Sequence, residues 1–452
     1  MDTILERVIS NVDKNRQLIL DAERYIWKNP EIGYKEWKTT DYLVKAFERL
    51  GYQVTRPEGI TGFIADLDTG RPGPKVAILG ELDSLICAEH PECDPETHAV
   101  HACGHHGQSA YLLGCAAAFA EPGALNGLCG SIRFVSVPAE ETIDLEFRNQ
   151  LIDKGIIRYP AGKIEFLYRG LLDGVDIALM DHLTTDIGDY LFEHQAGQCG
   201  CIVKHFEFQG KAAHAGGYPY EGINALYAAT VGIVACNALR EKFRETDICR
   251  FHPIVTEAGY AANAIPEVAK LDAYVRATSF HRMVELNGEV NRALAASAAA
   301  IGGNVLIQDN PGNMPTQYSE DLSTLFEDVA EEIFGKGCVY HSGWIGGSSD
   351  IGDLSSLIPC LQIHSMGVTG TFHGKDFKVV DPEKACVNAV KVLCGSVSKL
   401  LEKDAEIGRR CIRNFKPVFA DKASYFRAID KLHKSYTAVC YNEDGSITLD
   451  AR

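Results

Sequence analysis

The sequence of 452 residues contains no long apolar segment and no excess of basic residues. Its longest weakly polar stretch, residues 225–239, is too short to span a bilayer and contains Asn237. Residues 1–7 lack a basic stretch followed by an apolar core, so we predict no signal peptide. The formal charge of −17 disfavours binding to nucleic acids and to anionic membranes. We therefore expect a cytoplasmic protein with neither a membrane nor a nucleic-acid partner.

The fifteen cysteines do not form the pattern of a disulfide framework. Their number is odd and they are scattered over a long chain, whereas disulfide scaffolds are short and dense in cysteine. We expect most of them to be reduced, buried, small apolar side chains. The sequence also lacks internal repeats and low-complexity segments, so a globular architecture is expected.

The chain is too long for a single ordinary core, and its apolar pattern changes twice. Short apolar runs separated by helical segments predict an α/β domain, in which a mixed sheet is flanked by helices. The predicted strands of this domain are residues 62–67, 76–80, 132–137, 175–180 and 359–363.

Another pattern occupies the middle of the chain, with predicted strands at 202–208, 272–278 and 304–308 and helices at 224–243 and 283–301. A unit of two helices and several strands is typical of a small α+β, ferredoxin-like domain. The α/β pattern resumes afterwards. We therefore assign residues 1–197 and 311–452 to the larger domain and residues 198–310 to a smaller domain inserted into it.

Residues 101–107, with the sequence His-Ala-Cys-Gly-His-His-Gly, combine side chains of metal-ligand type. If this segment is extended, the side chains of Cys103 and His105 leave the same side and can share one metal ion. A thiolate and a neutral imidazole are good ligands for zinc and related ions. One alternative is a loop with a buried cysteine and ordinary polar histidines. Another is a structural zinc site with Cys87 and Cys93, although these spacings fit no compact finger pattern.

Three predicted strands end in further residues of metal-ligand type. They are Glu140 and Glu141 after 132–137, Asp181 and His182 after 175–180, and Glu81 and Asp83 after 76–80. Open α/β sheets place their ligands at the carboxyl ends of strands. Of two adjacent carboxylates, one can bind a metal while the other accepts a proton. Each feature alone is ordinary polar surface, but several at one sheet edge predict a metal-dependent site.

A co-linear series of motifs resembles the amidohydrolase branch of the aminoacylase/carboxypeptidase-type di-metal peptidases. That branch includes hippurate hydrolase, indole-acetyl-amino-acid hydrolases and p-aminobenzoyl-glutamate hydrolase. The similar segments are residues 29–33, 80–85, 102–105, 138–141, 181–182, 210–215, 222–226, 263–266 with Arg276, and 347–350. Residues 349–355 are most similar to the p-aminobenzoyl-glutamate hydrolase group.

The resemblance implies two divalent cations per subunit. Zinc and manganese are the favoured metals, and cobalt and nickel are the alternatives. Cys103 would bridge the two cations, and the other ligands would be His105, Glu141, His182 and His373. His364 is the alternative to His373 as the last of these metal ligands. Glu140 would be the general base, and later the acid that protonates the leaving amine. Asp83 would orient a ligand.

The resemblance also implies that the inserted domain is a lid and dimerisation domain, which gives a homodimer. Its His214 would steady the developing oxyanion in the partner's site. Asn263 and Arg276 would hold the carbonyl and the carboxylate of the substrate, together with Ser348 and Ser349. An arginine suits a carboxylate because its planar fork can bind both oxygens, although a solvated surface arginine is the alternative.

The implied reaction is metal-dependent hydrolysis of the amide bond of N-acyl or N-aroyl amino acids, such as p-aminobenzoyl-glutamate-like compounds. A dipeptidase or an N-carbamoyl-amino-acid hydrolase is the alternative within the same chemistry. Two other classes remain: a thiol enzyme with Cys103 as nucleophile, and a non-catalytic metal-binding dimer. The presence of both Glu140 and Glu141 argues against the second, because a site without catalysis has no need of a base.

The sequence departs from the relatives at three places. His106 stands where an aspartate or asparagine is common, and Gln108 replaces a histidine. The change at His106 bears on metal preference and on the residues that support the ligands. Residues 142–161 resemble an insertion, and because it begins beside the carboxylate pair, we hypothesise that it shapes the substrate pocket.

Overall fold

The computed structural model describes residues 3–450. Within these residues the α-helices are α1 (Ile4–Lys14), α2 (Arg16–Trp27), α3 (Trp37–Arg49), α4 (His105–Ala120), α5 (Leu145–Asp153), α6 (Gly162–Tyr168), α7 (Ala225–Ala238), α8 (Phe280–Ala300), α9 (Glu320–Phe334), α10 (Ile351–Ser355), α11 (Asn388–Leu401), α12 (Glu406–Asn414) and α13 (Lys422–Leu432). None of the helices in residues 3–450 combines the length and the apolar character needed to cross a membrane.

The strands of the same residues are β1 (Val54–Thr55), β2 (Phe63–Asp68), β3 (Lys75–Glu81), β4 (Leu85–Ile86), β5 (Ala99–Val100), β6 (Ser131–Val137), β7 (Ile177–Thr185), β8 (Phe192–Gln198), β9 (Gly200–Gln209), β10 (Ala213–His214), β11 (Arg250–Glu257), β12 (Ala264–Ile265), β13 (Val268–Ala277), β14 (Asn304–Pro311), β15 (Val339–Ile345), β16 (Cys360–Thr369), β17 (Lys378–Val379), β18 (Lys434–Thr437), β19 (Val439–Tyr441) and β20 (Ile447–Leu449). Every strand predicted from the sequence is present, with ends that differ by up to six residues.

The chain folds into two compact units. The larger unit comprises the chain up to Ala196 together with Gln317–Gly343 and Asp353–Val418. The smaller unit comprises Gly197–Thr316, Trp344–Gly352 and the chain from Phe419 onward. The tail, which the sequence pattern assigned to the larger domain, therefore lies in the smaller unit.

The larger unit contains a nine-stranded mixed sheet in the order β1-β2-β6-β3-β7-β16-β8-β15, with β17 paired to β16. Its centre is parallel, because β3 pairs in parallel with β6 and β7, and β7 with β16. The central strands are almost wholly buried, as expected for parallel strands covered on both faces. Helix α4 packs on β3, β7 and α2, and all of its residues before Ala120 are buried. The expected α/β domain with a mixed sheet is confirmed.

The smaller unit contains a five-stranded antiparallel sheet in the order β11-β13-β9-β14-β18. The first four strands of this sheet and the two helices occur along the chain in the order β9-α7-β11-β13-α8-β14. This is the βαββαβ connection of a ferredoxin-like fold. The fifth strand, β18, comes from the tail, and pairs with residues 306–309 of β14. This pairing explains why the tail belongs with the smaller unit.

Candidate metal centre

Cys103 and His105 are joined by a turn, so the expectation of an extended segment is wrong. Gly104 has φ 94°, a left-handed conformation that glycine adopts without steric cost, and His105 is the first residue of α4. A Cβ atom at position 104 would come within 3.0 Å of the Leu183 side chain. The turn nevertheless brings the Cys103 and His105 side chains to a common point.

Two groups of possible metal ligands share the Cys103 sulfur. The first contains His105 and His182, the second contains Glu141 and His373, and within each group the ligand atoms lie within 4.8 Å of one another. Cys103 Sγ is 3.6 Å from His182 Nε2, and Glu141 Oε1 is 3.2 Å from His373 Nε2. The structure thus brings together the five side chains that the resemblance named as ligands.

The donor atoms of these groups fit a divalent cation. Thiolate, imidazole and carboxylate are ligands of zinc and related ions. His105 Nε2 and Glu141 Oε1 are buried, and each faces another side chain of ligand type, Glu81 Oε2 at 3.1 Å and His373 Nε2 at 3.2 Å respectively. These donor atoms cluster with the shared thiol, which fits the ligation of a cation. His182 itself lies inside β7, which continues to Thr185, and not after a strand end as predicted.

Asp83 holds two of the ligands from behind. Its Oδ1 lies 3.2 Å from His105 Nδ1, and its backbone oxygen lies 3.0 Å from the same nitrogen. The other carboxylate oxygen, Oδ2, accepts a hydrogen bond from the backbone N–H of Glu141 at 2.9 Å. A hydrogen bond at Nδ1 fixes the ring and leaves Nε2 for a cation, which is the usual arrangement behind a metal-binding histidine.

Glu81 and Lys163 form a buried ion pair beside these ligands that was not assigned from the sequence. Glu81 Oε2 lies 3.1 Å from His105 Nε2 and accepts a hydrogen bond from Gln108 Nε2 at 2.5 Å. Burial opposes the charge of Glu81, but Lys163 and the nearby histidines outweigh it and lower the pKa of its carboxyl to about 2. Lys163 follows Glu81 by 82 residues and lies on the short helix α6, where no sequence motif marks it. Gln108 was noted in the sequence only because it replaces a histidine of the relatives.

Glu140, the predicted base, belongs to a third group with Glu81 and His105, again with ligand atoms within 4.8 Å of one another. The thiol alternative is disfavoured by the environment of Cys103. Burial and the neighbouring Glu141 carboxylate raise the pKa of its thiol, whereas a nucleophilic cysteine needs a lowered pKa.

The structural zinc alternative is also disfavoured, because none of the ligand groups found in the described chain includes Cys87 or Cys93. All fifteen cysteines are free, and most of them are buried, as expected.

The remaining histidines near the centre do not join its ligand groups. His364 is buried on β16, its Nε2 lies 3.1 Å from Gln362 Nε2, and its ring lies 6.1 Å from that of His182. His106 points away, with its Nε2 3.2 Å from Glu23 Oε1 and its ring edge-on to Trp27 at 4.8 Å. The geometry therefore favours His373 over His364.

The candidate substrate residues all lie in the smaller unit. His214 pairs with Ala264 between β10 and β12, and its Nδ1 accepts a hydrogen bond from Gly217 N at 2.9 Å. The backbone oxygen of Asn263 accepts from Ala215 N at 2.9 Å, so His214 and Asn263 belong to one local structure. Elsewhere in this unit, Arg276 forms a second local structure.

The Arg276 guanidinium donates to Ser348 Oγ at 2.9 Å and to the Gly346 carbonyl at 3.2 Å. It also lies over the Tyr274 ring, 5.0 Å from its centroid. Ser349, the neighbour of Ser348, is buried. Arg276 is therefore held in place by its surroundings and is not a freely solvated surface arginine.

Comparisons with known proteins agree with this geometry. Residues 196–301 match the family model described as the peptidase dimerisation domain. A solved Bacillus subtilis structure, described as a dinuclear metal binding peptidase from the M20 family, superposes with a TM-score of 0.67 at 20% identity, covering 85% of this chain and 97% of that one. The Xaa-Arg dipeptidase of Mus musculus is 27% identical over 395 residues, which is 82% of this chain and 81% of the relative. Residues 196–301 therefore form an M20 peptidase dimerisation domain, and the chain is similar to M20 peptidases in sequence and fold.

Another relative of this chain is the p-aminobenzoyl-glutamate hydrolase of Escherichia coli, one of whose subunits is 30% identical over 293 residues. That match covers 61% of this chain and 54% of the relative. These relatives are named as a dipeptidase and as hydrolases, and together with the matched domain they show that this chain is an enzyme, a metal-dependent amidohydrolase. The alternative of a non-catalytic dimer is thereby set aside.

Proposed function

We propose that this M20 enzyme hydrolyses the amide bond of N-acyl amino acids, including N-aroyl compounds similar to p-aminobenzoyl-glutamate, and releases a carboxylic acid and an amino acid. The observation that carries the proposal is the pair of ligand groups that share Cys103, with Glu140 beside them. Relatives named for p-aminobenzoyl-glutamate, hippurate and IAA-amino acids support this substrate class. A dipeptidase is the second candidate, because the Xaa-Arg dipeptidase of Mus musculus matches 82% of the chain.

The donor sets fit two divalent cations, zinc or manganese first, which would be held by His105 and His182 in one group and by Glu141 and His373 in the other, with Cys103 common to both. When bound, such cations supply Lewis-acid activation of water and of the scissile carbonyl. Glu140 accepts a proton from the attacking water and returns it to the leaving amine. Asp83 keeps His105 and the Glu141 backbone in place during these steps.

The smaller unit supplies the recognition of the substrate in this proposal. Arg276, held by Ser348, offers the fork of donors that suits the carboxylate of an amino acid. Ser349 adds a neighbouring hydroxyl. Asn263 and His214 bind the carbonyl oxygen, with His214 acting in the site of a second copy. An enzyme with fifteen free cysteines fits the reducing conditions of the cytoplasm, where we propose it acts.

The same unit carries apolar surface for a homodimer. Tyr227, Val231 and Val234 on α7 are 63%, 45% and 64% exposed. Strand β11 lies at the end of the sheet with exposed Ile254 and Val255. Exposed apolar patches on stable proteins mark interaction surfaces. Light scattering with chromatography is expected to give the mass of two chains for the wild type and of one chain for Val234→Glu.

Val380→Glu is the matched control for this measurement, because Val380 is about as exposed but belongs to the larger unit. It should leave the mass of the assembly unchanged. A Val234→Glu variant that keeps the mass of two chains would place the interface elsewhere.

The substrate proposal is tested with apo-enzyme reconstituted with zinc, manganese, cobalt or nickel, and assayed against p-aminobenzoyl-glutamate, N-benzoyl, N-acetyl and N-carbamoyl amino acids and dipeptides. The expected result is preferred hydrolysis of the aroyl and acyl amino acids, lost on chelation and restored by metal.

Glu140→Gln should lower kcat by about 10²–10⁴-fold, since it removes the general base. Glu48→Gln, which changes an exposed carboxyl on α3, should leave kcat unchanged. Preferred dipeptide hydrolysis would support the second candidate instead.

A further inference from the structure

Residues 142–161, the apparent insertion, form a loop and helix α5 in the larger unit. Most side chains of this helix are exposed, but Arg148 is 1% exposed. The guanidinium of Arg148 points to the backbone that carries Glu140 and Glu141. The insertion therefore places a positive charge directly behind the proposed base.

Arg148 donates hydrogen bonds to three carbonyl oxygens. They belong to Pro160 at 2.8 Å, Ala139 at 3.4 Å, and Glu141 at a shorter distance. Desolvating a guanidinium is costly, and charge-assisted hydrogen bonds offset the cost. Because Ala139 and Glu141 flank Glu140, these bonds fix the chain on both sides of the base.

The backbone between Val137 and Glu141 needs such support. Ala139 has φ 56°, a left-handed conformation that non-glycine residues keep only where their surroundings hold it. Its N–H donates to Glu36 Oε1 at 2.9 Å, and its carbonyl also accepts from Gly162 N at 3.2 Å. Arg148 is thus one of several side-chain and backbone partners that hold this turn.

A lysine could not replace these contacts. The guanidinium is a planar fork with several donors in fixed directions, whereas an ammonium is a single point charge on a flexible stem. The Arg148 side chain also lies over the Tyr34 ring, 5.7 Å from its centroid, which restricts its orientation.

We propose that Arg148 is a positioning residue, which orients the carboxylates of Glu140 and Glu141 by clamping the carbonyls on either side of Glu140. The proposal rests on the function proposed above for Glu140. It assigns to the insertion a supporting role behind the reacting groups.

The test compares Arg148→Met, Arg148→Lys and a control, Lys336→Met, which removes an exposed charge of the larger unit outside the insertion. For each variant we would measure metal content, the absorption spectrum of the cobalt-loaded enzyme, and kcat and KM per metal-loaded site. Arg148→Met should lower kcat on the order of 100-fold, because a misplaced reacting group costs about that much. KM should change by less than about threefold, since ground-state binding is retained.

Arg148→Lys is expected to give an intermediate kcat, and Lys336→Met a wild-type kcat. The cobalt spectrum of both Arg148 variants should shift, because Glu141 is a proposed ligand. A normal kcat and spectrum per metal-loaded site, with only lower thermal stability, would reduce Arg148 to a structural role and overturn the proposal.

If Arg148→Met does not fold, the same comparison is made with Arg148→Lys. If the wild type cleaves none of the substrates, the function proposal fails separately, and the cobalt spectra alone decide the role of Arg148.

Discussion

The carboxylate of Asp83 accepts a hydrogen bond from the backbone N–H of Glu141 at 2.9 Å. Its other oxygen lies 3.2 Å from His105 Nδ1. One buried side chain thus connects a residue of the first ligand group to a residue of the second, although His105 opens a helix and Glu141 follows a strand. The two groups are mechanically coupled through Asp83.

We therefore predict that Asp83→Asn lowers the affinity for divalent cations by about 10–100-fold, the usual effect of losing a residue that supports a ligand. The asparagine amide has nearly the volume of the Asp83 carboxylate, but it has one hydrogen-bond acceptor oxygen in place of two. Competition with a chromogenic chelator measures the affinity. Asp153→Asn, an exposed position on α5, is the control and should bind as the wild type does. Unchanged affinity in Asp83→Asn would argue that the groups are organised without Asp83.

The last ligand can be decided by metal content. His373 lies in a ligand group with Cys103 and Glu141, whereas His364 lies beside Gln362 and belongs to none. We expect His373→Ala to lose one of the two cations and His364→Ala to retain both, as counted by atomic emission on dialysed protein. Full occupancy without His373 would exclude it as a ligand.

His364 is predicted to make the protein sensitive to acid. Burial, with a smaller effect of His182, lowers the pKa of His364 to about 3, against 6.5 for an exposed histidine. Below pH 6.5 the unfolded chain binds a proton that the folded chain does not bind, so stability present above pH 6.5 is lost as the pH falls towards 3. At pH 4.5 this loss amounts to about 2–3 kcal/mol.

The measurement is urea unfolding of metal-free enzyme at pH 7 and pH 4.5. His364→Gln, which cannot titrate, should lose less stability between these pH values than the wild type does. His281→Gln, at a largely exposed histidine, is the matched control. Equal losses in wild type and His364→Gln would show that His364 is protonated in the folded state.

The Lys163–Glu81 pair is expected to be needed for stability, because each side chain is only 1% exposed. Lys163→Met leaves a buried carboxylate without its partner, which typically costs about 3–5 kcal/mol. The double variant Lys163→Met with Glu81→Gln should recover part of this loss in urea unfolding at pH 7. Lys336→Met, at an exposed lysine, is the control. A double variant no more stable than Lys163→Met would contradict the buried-charge explanation.

The fold was predictable from the sequence because its signals are local. Apolar runs of the correct length located the strands, and the change of pattern near residue 198 located the smaller unit. The tail was misplaced because strand β18 is short and half exposed, so its pairing with β14 leaves no apolar pattern.

The candidate site was predictable only where its residues lie in motifs. Cys103, Glu141 and His373 were named from the sequence, but the turn at Gly104 was missed because a glycine between two polar residues does not fix the backbone. Lys163 and Arg148 were not assigned a role. A charged residue on a short helix is most often solvated, and only the folded chain shows that these two are buried against Glu81 and Glu141.

Strand β18 covers residues 306–309 of β14, which would otherwise form one border of the smaller unit's sheet. The tail thereby replaces the eight-residue β14 at this border by the four-residue β18, which becomes the edge strand. A short edge strand presents few unpaired backbone groups to another chain, so it is a poor template for edge-to-edge aggregation. Loss of the tail would expose the longer β14 and remove this protection.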